Sequence, residues 1–317
     1  MKNQIRVFAP ASVANVACGF DILGFAVEYP GDEVEIKLKD EPGVVISTID
    51  GDNGKLPKAP DKNSVTVPIL SFLKHYRIDQ GMEIKLFKKT PAGSGLGSSA
   101  ASSVAGVFAA NILLGEPMKQ EHLLPFALDG EKAACGIAHA DNVAPALLGG
   151  FVLIRSYHPL DVVKIPTPDQ LYCTIFHPDL EVRTSDARKI LKKNIPLKDA
   201  IVQWGNIAGL ITGLMKSDYE LISRSMEDVI VEPIRSILIP GFDKVKKAVM
   251  ETGALGCNIS GSGPSIFSLS RSDEIAKEIG EVMAEQFKLD DVSGEFYYSK
   301  INNQGPKVIT QDEDEIL

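Results

Sequence analysis

Gly93, Gly95 and Gly97 stand at alternate positions in Pro91-Ala92-Gly93-Ser94-Gly95-Leu96-Gly97-Ser98-Ser99, and small residues continue the run. Glycine lets a backbone approach a ligand closely and take dihedrals that other residues resist. A helix starting at residue 98 presents free N–H groups and partial positive charge at the same point, so the combination suits a phosphate group. Ser98 or Ser99, in the first turn, can offer a hydroxyl to a phosphate-bound metal ion, or can simply cap the helix. No Gly-Lys-Ser/Thr ends the stretch, so it is not a Walker A loop. Nor is it a G-x-G-x-x-G fingerprint followed by an acidic residue about twenty positions on. A glycine-rich turn that only packs a helix is the competing reading.

The elements around the loop decide what else can reach it. Met82, Ile84 and Leu86 face one way with Glu83 and Lys85 opposite, so a strand leads directly into the glycines. The helix expected over 98–114 ends at Gly115, and a second is expected over 118–134, with Pro125 placed to bend it. A connection this short makes the pair antiparallel, which returns the end of the second helix, near Glu131, to the start of the first. A carboxylate there is what Mg²⁺ prefers, whereas a solvated helix glutamate is the ordinary alternative.

Before this unit, a strand over 5–9 is closed by Pro10, a glycine-punctuated segment spans 14–27, and 33–39 alternates as a half-exposed strand with 44–49 as its partner. A loop over 51–61 precedes a helix over 65–76. A short helix over 141–148 and a strand over 151–155 follow the hairpin. Pro159, Pro166 and Pro168 punctuate a polar stretch, which sets a boundary between domains 1–160 and 161–317. Beyond it come a strand at 171–176 and helices at 185–191, 197–215, 219–225, 234–238 and 241–251. A strand over 257–269 is broken by Gly261-Ser-Gly-Pro264, a helix covers 273–287, and 295–300 with 307–310 finish the sheet. This order predicts an α+β sandwich with helices on one face. Trp204 and the apolar stripe around it read as core or interface.

The chain has 317 residues, 44% hydrophobic and 24% charged, which is globular composition with room for one large or two medium domains. A net charge of −9 argues against a general nucleic-acid binder but not against a small anionic ligand. The terminal 311–317 reads as a solvated acidic tail. Cys18, Cys135, Cys173 and Cys257 lie far apart without C-x-x-C pairing, which favours reduced thiols in a cytoplasmic protein over a zinc site or a disulfide framework. No apolar run approaches twenty residues and no signal-peptide pattern opens the chain, so neither a membrane span nor secretion is expected.

Three motifs then agree. Ala11-Ser-Val-Ala-Asn-Val-Ala-Cys-Gly-Phe-Asp21, Pro91 to Ser99, and Ile259-Ser-Gly-Ser-Gly-Pro-Ser265 occur in the order and spacing of the GHMP small-molecule kinases. Asn15, Gly19-Phe-Asp21, His139-Ala-Asp-Asn142, Arg183-Thr-Ser-Asp-Ala-Arg188 and Asn303-Gln-Gly305 narrow the resemblance to the homoserine kinase family, over nearly the whole chain. Two features depart from the pattern: Val16-Ala-Cys18, where the family often has leucine, glycine and proline, and the acidic tail. The resemblance implies a two-domain α+β GHMP kinase fold, with a ribosomal-protein-S5-domain-2-like N-terminal half and a ferredoxin-like C-terminal half. It implies ATP and Mg²⁺ as cofactors and phosphorylation of the side-chain hydroxyl of L-homoserine to O-phospho-L-homoserine, a step toward threonine.

The resemblance also assigns roles. Residues 91–99 would hold the phosphates, Asn63 and Val65 the base, and Ser99 with Glu131 the metal, while Lys88 and Lys89, from their place just before the loop, could balance phosphate charge or be ordinary exposed strand-end lysines. A zwitterionic acceptor needs both charges matched, and arginine binds carboxylate through a planar fork. Thr184, Arg188 and Arg235 would take the carboxylate, Asp21 and Asp141 the ammonium, and Asn15 and Asn142 the hydroxyl, with Gly261 closing the cleft from the second half. Other GHMP kinases often carry an aspartate base where Asn142 stands. An amide accepts no proton at neutral pH, so Asn142 is expected to orient the hydroxyl without a strong base, with Asp141 as the rival base and His139 at the same bend. The rival functions are another GHMP kinase, such as a mevalonate kinase, and a non-catalytic nucleotide sensor of the same fold. A homodimer is expected from the symmetry of most oligomers.

Overall fold

In the computed structural model two sheets organise the chain. Residues 3–182 and 184–309 are described, without the side chain of Ser185. The acidic tail, Thr310 of the last expected strand and Arg183 of the acceptor motif lie outside them. The elements of the first half are β1 (Gln4–Ala14), β2 (Leu23–Lys39), β3 (Val44–Asp50), α1 (Val67–Tyr76), β4 (Gly81–Phe87), α2 (Ser98–Leu113), α3 (Leu124–Cys135), α4 (Ala140–Leu148), β5 (Phe151–Tyr157) and β6 (Leu160–Ile165). The second half adds β7 (Tyr172–Pro178), α5 (Thr184–Lys189), α6 (Leu197–Lys216), α7 (Tyr219–Ser225), α8 (Glu232–Arg235), α9 (Phe242–Glu251), β8 (Gly256–Ile259), β9 (Ile266–Ser270), α10 (Asp273–Leu289), β10 (Gly294–Lys300) and β11 (Lys307–Val308).

The first sheet runs β11-β1-β2-β4-β3, with β5 paired to β2 and β6 to β5; the second runs β10-β7-β9-β8. The final strands therefore do not finish one sheet: β10 joins the second and β11 returns to the first. Nor does β3 pair with the 33–39 segment of β2. It lies parallel to β4, with Ile46 opposite Ile84, because α1 carries the chain back across the sheet face in a β–α–β crossover. Pro10 does not close β1. The strand continues to Ala14 through a register shift between Pro10 and Ser12, where an N–H is dispensable. Pro125 starts α3 within its first turn rather than bending a longer helix, since the lost N–H there has no helical partner anyway.

Helix α2 is buried almost all round, and its Ala, Ser and Gly residues permit that. A methyl at Gly106 would lie 2.3 Å from the Val65 carbonyl, and one at Gly130 would lie 2.2 Å from Ser103 Oγ. Close packing of α3 on α2 is what fixes the height of Glu131 beside the start of α2. The two halves are joined by an apolar cluster in which Phe25 stacks on Phe151 at 4.6 Å and meets Phe267 edge-on at 5.7 Å. Burying each of these aromatic side chains contributes roughly 2–3 kcal/mol. Trp204 is not core: it is 59% exposed on the outer face of α6, with Leu197, Ile201 and Met215.

Candidate active site

The loop between β4 and α2 holds Gly93, Gly95 and Gly97 at φ of 75°, 79° and 62°, in the left-handed region. Two of the three are also required by space. A methyl on Gly95 would sit 2.5 Å from the Ser260 carbonyl oxygen, and one on Gly97 would sit 2.1 Å from Ser12 Oγ and 2.8 Å from Asn142 Oδ1. The third motif does clamp this loop: Ser260 Oγ donates to the Gly95 carbonyl at 2.7 Å and the Ser265 N–H to that of Ser94 at 3.2 Å. Gly97→Ala is expected to lower kcat/KM by about 100-fold, the cost of misplacing a reacting group by roughly 1 Å. Gly93→Ala, whose added methyl meets nothing within 4 Å, should lose only the backbone preference, about 1–2 kcal/mol. Equal losses in steady-state assays of the two variants would contradict this.

Lys88 is held in a buried ion pair at the edge of the cleft. Its ammonium is buried against Asp32 and donates to the Ser98 carbonyl and to Ser102 Oγ, each at 2.9 Å. Asp32 is fully buried and also accepts from Ser102 Oγ and the N–H groups of Lys89 and Thr90. This satisfied ion pair bolts the end of β4 to the start of α2 and so sets the loop. Ser98 is committed too, donating to the Thr90 carbonyl at 2.9 Å. That leaves Ser99, whose hydroxyl donates to Glu131 Oε2 at 2.6 Å.

Glu131 is itself buried, and its other oxygen lies 3.1 Å from His139 Nδ1. Hydrogen bonding to Cys135 and then to Glu131 pushes the His139 imidazole up to about 10 against the cost of burial, so the ring is charged at neutrality. Its Nε2 has no partner. A hydroxyl and a carboxylate oxygen in contact beside the loop are a donor set that fits a hard divalent cation.

A cleft of about 430 Å³ opens over the loop. Ala92, Gly93, Ser94, Gly95, Gly97, Ser98, Ser99 and Lys88 line it, whereas Pro91 does not. Leu96 is fully buried and points into the core; only its carbonyl faces β1, accepting from the Ser12 N–H. The Val65 side chain likewise is core beneath α2 and does not line the cleft. Asn63 does line the cleft, with its amide pinning the 57–65 loop by bonds to the Pro57 carbonyl and from the Val65 N–H.

On the acceptor side, the turn after β1 places Asn15 and Asp21 at φ of 72° and 61°. Asp21 meets Arg188 in a bidentate pair, at 3.0 and 2.8 Å. Arg235, 3% exposed, donates to the Gly261 carbonyl at 2.7 Å. Burial and the neighbouring Arg188 lower its pKa. Both guanidinium groups lie over Phe20, at 5.5 and 5.1 Å from the ring centroid. Asn15 lines the cleft, and its Nδ2 donates to the same Gly261 carbonyl at 2.7 Å while its Oδ1 accepts from the Asp21 N–H, so its amide pins the two halves together. Thr184 bonds Ser262 at 3.1 Å.

Asn142 and Asp141 part company in the first turn of α4. Asn142 faces the cleft and its Oδ1 accepts from Ser12 Oγ at 3.1 Å. Asp141 is 2% exposed and does not line the cleft; one carboxylate oxygen has no partner. Burial, and then repulsion by Asp21, raise its pKa to about 7. Residues that carry this site without a role predicted from sequence are Phe20, Ser12 and Cys135; Ser262, expected with Gly261 to close the cleft, does line it. Phe20 stands between Gly19 and Asp21 of the first motif, but nothing local marks it as a seat for two arginines.

A glycine loop at a helix start, a hydroxyl and a carboxylate in contact beside it, and a pocket of paired charges beyond, on this two-sheet frame, are the arrangement a small-molecule kinase needs. Known proteins agree. Residues 63–150 match the family model described as GHMP kinases N terminal domain, and residues 210–289 match GHMP kinases C terminal. A homoserine kinase of Chlorobium phaeobacteroides (strain BS1) is 51% identical over 314 residues, spanning 95% of this chain and 98% of that protein. The crystal structure of homoserine kinase from Cytophaga hutchinsonii superposes with a TM-score of 0.95 at 61% identity, covering 98% of each chain. The structure of L. major mevalonate kinase in complex with R-mevalonate has a TM-score of 0.71 at 16% identity, covering 95% of this chain and 98% of that one, a likeness of fold alone. The chain belongs to the GHMP kinases and, within them, to the homoserine kinase family.

Proposed function

We propose that the protein transfers the γ-phosphoryl group of ATP to the side-chain hydroxyl of L-homoserine, giving O-phospho-L-homoserine on the way to threonine. The observation that carries the mechanism is the position of Asn142, whose amide oxygen stands against Gly97 at the join of the phosphate loop and the acceptor pocket. Backbone N–H groups over 93–99 cradle the phosphates, and Ser99 with Glu131 would hold Mg²⁺, which supplies neutralisation of phosphate charge. Arg188 and Arg235, braced on Phe20, receive the amino acid's carboxylate. Asp21 receives its ammonium, and the buried charge of Asp141 adds to the attraction.

Asn142 then orients the hydroxyl in line. Its amide takes no proton, so the proton passes late to the phosphoryl oxygens, as a loose transition state allows. Asp141 has the pKa of a base but lies outside the cleft lining. Asn142→Ala is expected to lower kcat by about 100-fold by loss of orientation. A rise in turnover for Asn142→Asp would overturn the orienting role.

The substrate assignment is tested by an ATP-coupled assay across homoserine, serine, threonine and mevalonate. Turnover of mevalonate without homoserine would sink it, and nucleotide binding without any turnover would make the protein a sensor. The cytoplasm is the proposed location, supported by four unpaired thiols. No helix among the described residues is long and apolar enough to cross a membrane. A homodimer is the proposed assembly.

A further inference from the structure

Magnesium accounts for Ser99 and Glu131 and leaves their neighbours unexplained. Cys135 stands one helical turn beyond Glu131 at the end of α3, and His139 stands four residues further on, immediately before α4. One ligand atom from each of Glu131, Cys135 and His139 lies within 4.8 Å of the other two. Cys135 Sγ is 3.7 Å from Ser99 Oγ, and His139 Nδ1 is 3.1 Å from Glu131 Oε1. Magnesium takes oxygen ligands and has little use for sulfur or imidazole. A carboxylate, a thiolate and an imidazole around one point, with a further position open to the cleft, form the ligand set of a four-coordinate zinc site. Cys18, Cys173 and Cys257 are buried elsewhere, so Cys135 is the exposed thiol that can serve.

We propose that Glu131, Cys135 and His139 form a site for a thiophilic divalent cation of the Zn²⁺ class. Because Glu131 is shared, its occupation excludes Mg²⁺ and holds the kinase inactive. Binding releases the thiol proton and the imidazole proton to solvent and leaves three protein ligands on the ion. The exclusion rests on the magnesium role proposed for Glu131; the ligation does not.

The test uses the reduced, metal-stripped full chain, titrated calorimetrically with Zn²⁺ alone and spectroscopically with Co²⁺ as a coloured substitute. The expected result is one ion per chain with a thiolate-to-cobalt charge-transfer band. In Cys135→Ser the band is absent and zinc binding is about 100-fold weaker. With Mg-ATP and homoserine, zinc inhibits the native enzyme in competition with Mg²⁺, while whatever turnover Cys135→Ser retains is not reduced further by zinc. Equal zinc affinity in Cys135→Ser, or a cobalt spectrum without the thiolate band, overturns the site. Zinc bound through Cys135 in an enzyme that still turns over at full rate overturns the switch and points to the magnesium assignment of Glu131 as the fault.

Discussion

Glu131→Gln is expected to lower kcat by about 100- to 1,000-fold while the protein stays folded, the usual scale for losing one preorganised charge in a phosphoryl-transfer site. Glutamine keeps the shape of the side chain and its contacts to Ser99 and His139, so the lost quantity is the negative charge. The dependence of rate on Mg²⁺ concentration should shift upward, whereas nucleotide binding without Mg²⁺ should change little. A variant that turns over at the native rate with the native magnesium dependence would remove Glu131 from the metal site.

A second consequence concerns stability in metal-free protein. The His139 pKa is raised from 6.5 to about 10 in the fold, with Cys135 the larger cause and Glu131 the next. A base with a raised folded pKa contributes stability that is complete below pH 6.5 and is lost as pH rises through about 10. Native protein should therefore lose thermal stability across that window, and Glu131→Gln should flatten the loss. An identical pH profile for the two proteins would contradict the pairing.

What sequence made legible here was whatever the chain settles locally. The glycine loop, the strand before it and the short helical hairpin that returns Glu131 all depend on neighbours close in sequence, and the contact of Ser99 with Glu131 follows from that hairpin. The acceptor pocket is different. Asp21 meets Arg188 across 167 positions, and no periodicity predicts that the pair would close on itself over Phe20. Lys88 looks like a strand-end lysine free to meet phosphate until Asp32, 56 residues earlier, claims it. Val65 and Leu96 stand next to polar ligands in sequence but turn inward, because apolar burial decides the direction of a side chain even inside a binding loop. The parallel pairing of β3 was hidden for a related reason: alternation identifies a strand and its faces but not its neighbour.

Asp141 shows how adjacent residues acquire opposite uses, and Asp141→Asn is expected to stabilise the protein while weakening homoserine binding. Successive side chains on a helix point about 100° apart, so Asn142 reaches the cleft and Asp141 the interior. With a pKa raised from 3.8 to about 7, chiefly by burial, the carboxylate binds its proton more tightly folded than unfolded. Its charge therefore destabilises the fold fully above pH 7, by on the order of 4 kcal/mol, and the penalty disappears as pH falls from 7 toward 4. Asparagine removes that penalty at the cost of an amide with few partners, about 1–2 kcal/mol, so denaturation at pH 8 should show a net gain that shrinks on acidification. The proposed function would explain why the penalty is tolerated: a bound ammonium would lower the pKa of Asp141 again, so that charge and substrate would stabilise each other. In the native enzyme KM for homoserine should rise as pH falls below 7, and in Asp141→Asn it should stand about 10-fold higher at pH 8 with that dependence gone. A collapse of kcat by about 1,000-fold with KM unchanged would instead make Asp141 the base, and the orienting role of Asn142 would fall with it.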